Sequence, residues 1–171
     1  MSEINKNWLR DVFALATNSG ELVGTLPING LTRLHGDLTD ATGELNYRVL
    51  GSINSHKHSM LHIEINGSLN MVCQRCLESV VQSVKVNNML QLVASDAELD
   101  SEEAELEAIL AGDTSPEKIV GSKDFDLHGL LEDEVILGLP MVVAHEVCDE
   151  VLPMAAGQKT SPFDALVKLK K

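Results

Sequence analysis

The stretch Ser59-Met60-Leu61-His62-Ile63-Glu64-Ile65-Asn66-Gly67-Ser68-Leu69-Asn70-Met71-Val72-Cys73 decides the fold. Leu61, Ile63, Ile65, Leu69, Met71 and Cys73 occupy odd positions, and polar residues fill most of the even ones. A repeat of two sends alternate side chains to opposite faces of an extended chain, so one face is apolar and the other is wet. Two neighbouring runs share the pattern. Upstream, Leu45, Tyr47, Val49, Gly51 and Ile53 alternate with polar residues; downstream, Val84, Val86, Leu90, Leu92 and Ala94 do so, with Asn88 breaking the row. Short polar loops separate the three runs, which predicts an antiparallel meander with strands at 43–53, 60–73 and 79–95. Strands of this length coil, so the sheet is expected to be strongly twisted or partly closed. Gly67 marks an expected bulge or bend.

Outward from this sheet the pattern changes. Trp8, Leu9, Val12, Phe13 and Ala16 recur at helical spacing, predicting a helix over 4–17 that Asn18-Ser19-Gly20 closes. Leu22 to Ile28 reads as a short strand, and 30–38 is ambiguous. Residues 95–113 contain no basic residue and read either as a disordered acidic loop or as a polar helix that frays. A brief strand is expected at 117–121. Asp126 is a suitable N-cap for a helix over 126–138, where Leu127, Leu130, Leu131 and Val135 share one face and Glu132, Asp133 and Glu134 are read as lying outside it. Leu139-Pro140 ends that helix, because a residue before proline resists the α region. Pro162 can open a last short helix, Phe163 to Leu169. The fold class expected is α+β: a twisted antiparallel sheet, the 126–138 helix packed on it, and short terminal helices. Residues 1–20 are read as a helical extension and 21–171 as one domain with an acidic insert at 95–116.

Charge is unevenly spread. Residues 96–150 hold 17 acidic and two basic residues, a net of −15, whereas the rest of the chain has a net of +2. Such a surface repels nucleic acid and suits a basic protein partner, although solubility alone is also served by it. The 44% hydrophobic content supports a core, and 3% aromatics make that core aliphatic. No run of about 18 apolar residues is present, so no membrane span is expected. The first residues lack the basic-then-apolar order of a signal peptide, and three cysteines do not make a disulfide framework. A cytoplasmic location is the expectation.

Few residues carry chemistry. Cys73-Gln74-Arg75-Cys76 is a C-x-x-C, which is half a metal site, a redox pair or chance. Redox use favours a helix N-terminus, whereas this pair follows a strand. The complement for a metal is His145-Glu146-Val147-Cys148, an H-x-x-C; three sulfurs and one imidazole nitrogen make a sound tetrahedral zinc set. Cys73, Cys76, His145 and Cys148 are therefore the candidate ligands of a structural zinc ion. The alternative is a core Cys73 with two unpaired thiols. His56 and His58 form an H-x-H that reads better as a solvated loop. No phosphate-binding glycine loop, nucleophile elbow or catalytic triad is visible, so no enzymatic activity is expected.

Several of these motifs together resemble the YceD family, the large ribosomal RNA subunit accumulation proteins. The resemblance rests on Val72-Cys73-Gln74-Arg75-Cys76-Leu77, on Phe125-Asp126-Leu127 with Leu130 to Pro140, on His145 and Cys148, and on the tail Ser161-Pro162-Phe163-Asp164-Ala165-Leu166-Val167-Lys168-Leu169-Lys170-Lys171. It spans most of residues 20–171. Many relatives carry two cysteines where this chain has His145 and Cys148. The resemblance implies a cytoplasmic accessory factor in synthesis, processing or accumulation of large-subunit (23S) ribosomal RNA, with no established catalytic activity. The expected partner is a ribosomal protein or assembly factor, held by Glu132, Asp133, Glu134, Leu139 and Pro140. The alternative is direct binding of the RNA, for which Arg75, Lys168, Lys170 and Lys171 are the candidate contacts.

Overall fold

A computed structural model describes residues 8–112 and 115–148. Five strands form one sheet in the order β2 (Glu21–Pro27), β3 (Glu44–Ile53), β4 (Ser59–Val72), β5 (Ser79–Val93) and β6 (Glu117–Val120). The three long strands make the predicted meander. The β4–β5 register runs unbroken from Ser59↔Leu92 to Val72↔Ser79. Gly67 therefore makes no bulge; a Cβ there would lie 2.5 Å from Leu45 Cδ2, so the glycine admits the Leu45 side chain from the neighbouring strand.

The period-two reading held because one face of the sheet is covered and the other is open. Leu61, Ile63, Ile65, Leu69, Met71 and Cys73 are buried, as are Val84, Val86, Leu90 and Leu92 opposite them. Each aliphatic side chain so placed contributes about 1.5–3 kcal/mol as an upper estimate.

The class is α+β, with one change to the sheet. It is mixed, because β6 runs parallel to β5. The connection through α2 (Glu102–Ala111) returns the chain in the same direction, which a hairpin cannot do. The sheet also does not close, since β2 and β6 are its two edges.

Two helices cover the buried face. α3 (Leu127–Gly138) is capped by Asp126, whose carboxylate accepts from the Gly129 N–H at 3.1 Å. α1 (Val12–Thr17) is capped by Asp11 in the same way, through the Ala14 N–H at 2.8 Å. The predicted helix over 4–17 is thus shorter. Leu9–Arg10 is instead an extended segment, β1, paired antiparallel with β7 (Phe125–Asp126). This clasp ties the chain start to the N-terminus of α3, and Trp8 stacks edge-on against His128 with ring centroids 5.2 Å apart. Val12 and Ala16 are fully buried in the same core as the sheet, so residues 12–17 are integral to the packing. The ambiguous segment resolves into two single turns of 3-10 helix, Ile28–Gly30 and Thr32–Leu34. No helix among the described residues is long and apolar enough to cross a membrane. The predicted helix Phe163 to Leu169 lies outside the described residues.

Candidate metal centre

β4 ends at Val72, and the next residues form a tight knuckle before β5. The Cys73 N–H donates to the Glu78 carbonyl and the Leu77 N–H donates back to the Cys73 carbonyl, both at 2.9 Å. Leu77 takes a left-handed φ of 64°, which reverses the chain within four residues of Cys73. Cys73 and Cys76 thereby face the same space. After α3, Leu139-Pro140 redirects the chain, and buried Val143 anchors it: the Gln74 N–H donates to the Val143 carbonyl at 2.9 Å. Arg75 completes the clamp, its guanidinium donating to the carbonyls of His145 and Glu146.

These contacts bring both half-sites together. The ligand atoms of Cys73, Cys76, His145 and Cys148 all lie within 4.8 Å of one another. Cys73 Sγ is 3.8 Å from Cys148 Sγ, and Cys76 Sγ is 3.4 Å from His145 Nδ1. Around one ion with metal–sulfur bonds of about 2.3 Å and metal–nitrogen bonds of about 2.0 Å, tetrahedral edges come to about 3.8 Å and about 3.6 Å. Two of the separations thus match tetrahedral edges, and the four donors together could hold a metal ion. His145 Nε2 lies 3.1 Å from the Ser79 carbonyl oxygen, which only an N–H can satisfy. The proton is thus held on Nε2, and the Nδ1 lone pair faces the sulfurs, the tautomer a ligand needs.

The thiols differ in acidity. Burial by itself would raise the Cys73 thiol, but backbone N–H groups of Cys76, Arg75 and His145, with the Cys76 side chain, bring it down to about 5. Cys148 is pushed up to about 11, first by burial and then by the neighbouring Cys76 and Cys73 sulfurs. Cys73 is thus poised as a thiolate and Cys148 as a neutral thiol, which a bound metal ion would deprotonate. Among the described residues no other group of three or more metal-ligating side chains converges; His56 and His58 stack on an exposed loop.

The acidic triplet on α3 needs correction. Glu132 and Glu134 are buried at 5% exposure, and only Asp133 faces outward. Glu132 accepts from the Arg33 backbone N–H at 2.8 Å and from Arg33 Nε at 2.9 Å, while Asp133 also bonds the guanidinium. Glu134 turns to the sheet and accepts from Asn88. Helical geometry separates adjacent residues by about 100°, so 132 and 134 flank the apolar stripe and are drawn inward by partners that the local sequence does not reveal. These two carboxylates are turned into the domain, toward Arg33 and Asn88, and not outward as the sequence reading places them. Leu139 and Pro140, in contrast, line a surface groove beside the knuckle. Arg75 donates to the 145–148 half-site, and Lys168, Lys170 and Lys171 lie outside the described residues.

Sequence reasoning missed Arg33, Asn88, Ser79 and Val143. Asn88 alone left a trace, as the one polar residue in an apolar row. The others act through backbone groups or across 99 residues of chain, and neither leaves a local pattern.

The sheet-end knuckle and the distant H-x-x-C together define an α+β domain with a four-donor cluster at one end of its sheet. The family model for the large ribosomal RNA subunit accumulation protein YceD matches residues 61–170, and the chain belongs to that family. The large ribosomal RNA subunit accumulation protein YceD of Haemophilus influenzae is 26% identical over 161 residues, covering 88% of each chain. No solved structure matches.

Proposed function

We propose that the protein is a non-catalytic, cytoplasmic accessory factor in the accumulation of large-subunit ribosomal RNA, that it acts through protein contacts, and that zinc fills its four-donor centre. Family membership supports the process. The mode of action is supported by one observation, the segregation of charge: a net of −15 over residues 96–150 beside a net of +2 elsewhere. Polyanionic RNA is repelled by that segment, and a basic ribosomal or assembly protein is attracted to it. Zinc is supported by the donor set, three sulfurs and one nitrogen gathered within 4.8 Å, with two of their separations at tetrahedral edge length. The metal's part is structural: four protein donors leave no open coordination position, and the centre pins the 139–148 segment to the sheet end.

The test is a salt-titrated pull-down with the zinc-loaded protein against naked 23S RNA and against nuclease-treated ribosomal proteins. Retention of the protein fraction, weakening as salt screens charge over roughly 8 Å at physiological strength, is the expected result. Tight binding of naked RNA at physiological salt would replace this reading with direct RNA recognition. A strain lacking the protein should show lowered 23S RNA, restored by the parent gene.

A further inference from the structure

The C-terminal end of α3, the end of β4 and the knuckle enclose a groove of about 480 Å³. Leu34, Met71, Leu77, Leu137, Leu139 and Met141 contribute its apolar walls. Its rim is exposed, Met141 at 94%, Leu137 at 75% and Leu77 at 57%. Val142 and Val147, also exposed, lie at the same end of the molecule. Scattered single apolar residues need no explanation, but a cluster around one concavity does.

The charge around the groove selects its occupant. Asp37 lines the groove, and Glu78 and Glu146 stand on the two half-sites beside it. All three are exposed, and none forms an ion pair among the described residues. Of the nearby cations, Arg33 is paired with Glu132 and Asp133, while Arg75, which donates only to the neutral carbonyls of His145 and Glu146, keeps its charge and offsets one of the three acids. The negative end of the α3 dipole opens here too, with no basic residue in its last turn. The groove thus offers apolar area within a negative field.

We propose that this groove docks a segment of a partner protein that carries aliphatic residues flanked by lysine or arginine. The inference rests on the protein-contact reading and specifies where the contact is made. Aliphatic side chains of the segment fill the space between Leu137 and Met71, and its cations meet Asp37 and the end of α3. Apolar burial sets the affinity, and the charges set the encounter rate and the choice of partner.

The experiment places a photo-crosslinking benzoylphenylalanine at exposed position 137 of the full, metal-loaded chain in cells and sequences what it captures. The expected product is a protein peptide with aliphatic residues beside Lys or Arg. Its yield should fall about tenfold with Met141→Asp, the effect of losing one buried anchor. Asp37→Lys should lower the yield as well. Val23→Asp, on another exposed face, should leave it unchanged. Capture of RNA, of a second copy of this chain, or of nothing would overturn the proposal, as would a yield indifferent to Met141→Asp and Asp37→Lys. Co-sedimentation with large-subunit precursors separates the two levels of the argument. If the parent co-sediments through proteins and both variants do so equally, the groove is refuted and the protein-contact reading stands; if crosslinks go to RNA, both fall.

Discussion

The Asn88 side-chain amide lies 3.1 Å from each carboxylate oxygen of Glu134, joining β5 to the middle of α3 inside an otherwise aliphatic core. Replacing Asn88 by Leu would restore the apolar alternation of β5 and leave the buried carboxylate without its donor. A loss of about 1–3 kcal/mol is expected, read from the urea midpoint at neutral pH.

Glu134 also makes stability depend on pH. Burial first, and the acids Glu117 and Asp133 after it, raise its pKa; the Asn88 hydrogen bond only partly opposes them. A carboxyl whose folded pKa lies above its unfolded value resists ionisation in the fold. Its contribution is greatest below the ordinary glutamate range, near about 4.3, and falls as pH rises from there to the elevated folded value. Glu134→Gln removes that loss. The stability of E134Q relative to the parent should therefore improve as pH rises from 4 to 7, measured by paired urea titrations; a flat difference would contradict the assignment.

Arg33 and Glu132 form the second polar tie across the core edge, by a backbone and a side-chain bond at once. Glu132→Ala should cost about 1–3 kcal/mol, since it strands the Arg33 backbone N–H, and Arg33→Ala should cost less than that, because residue 33 keeps its N–H for Glu132. In a double-mutant cycle the pair should show a coupling of about 0.5–3 kcal/mol. Asp133→Asn, on the exposed side, should cost less than either.

Gly51 reports on the chain start. A Cβ at this position would fall 2.4 Å from the Leu15 carbonyl oxygen and 2.6 Å from the Ala16 nitrogen, which are backbone atoms of α1 and cannot swing aside. Gly51→Ala should destabilise by about 1–3 kcal/mol. It should also expose α1 to proteolysis, because the helix would be lifted off β3.

For the metal centre, protein purified without chelator should carry one zinc per chain by elemental analysis. Cys76→Ser and Cys148→Ser should each abolish that stoichiometry. Chelator should lower the thermal midpoint of the parent and leave that of the two variants nearly unchanged.

The long strands were legible because each keeps one covered and one open face, so that Leu61 to Met71 record their burial in a repeat of two. The direction of β6 was not, since residues 117–120 carry no sign of which way the chain returns after α2. Leu9 was misassigned because Trp8, Val12 and Ala16 complete a helical period around it; the pairing partner that makes it extended is Asp126, 117 positions away. The four donors could be chosen by chemistry alone, which depends on residue type. That Glu132 and Glu134 turn inward could not, because the reason is Arg33 and Asn88, on other elements.

The donor set is split between residues 73–76 and 145–148, and this orders events during synthesis. A ribosome extends the chain from one end, at about 5–20 residues per second, so Cys148 follows Cys76 by about 4–14 s. Throughout that interval the nascent chain carries the first two thiols without the second pair of donors, and without the His145 amide that helps the Cys76 and Arg75 amides lower Cys73. Residues 136–143, which wall the groove, are made just ahead of His145 and Cys148. A chain interrupted before residue 136 would therefore lack the groove wall and the second pair of donors together, whereas one interrupted between 143 and 148 would carry the wall without the complete donor set.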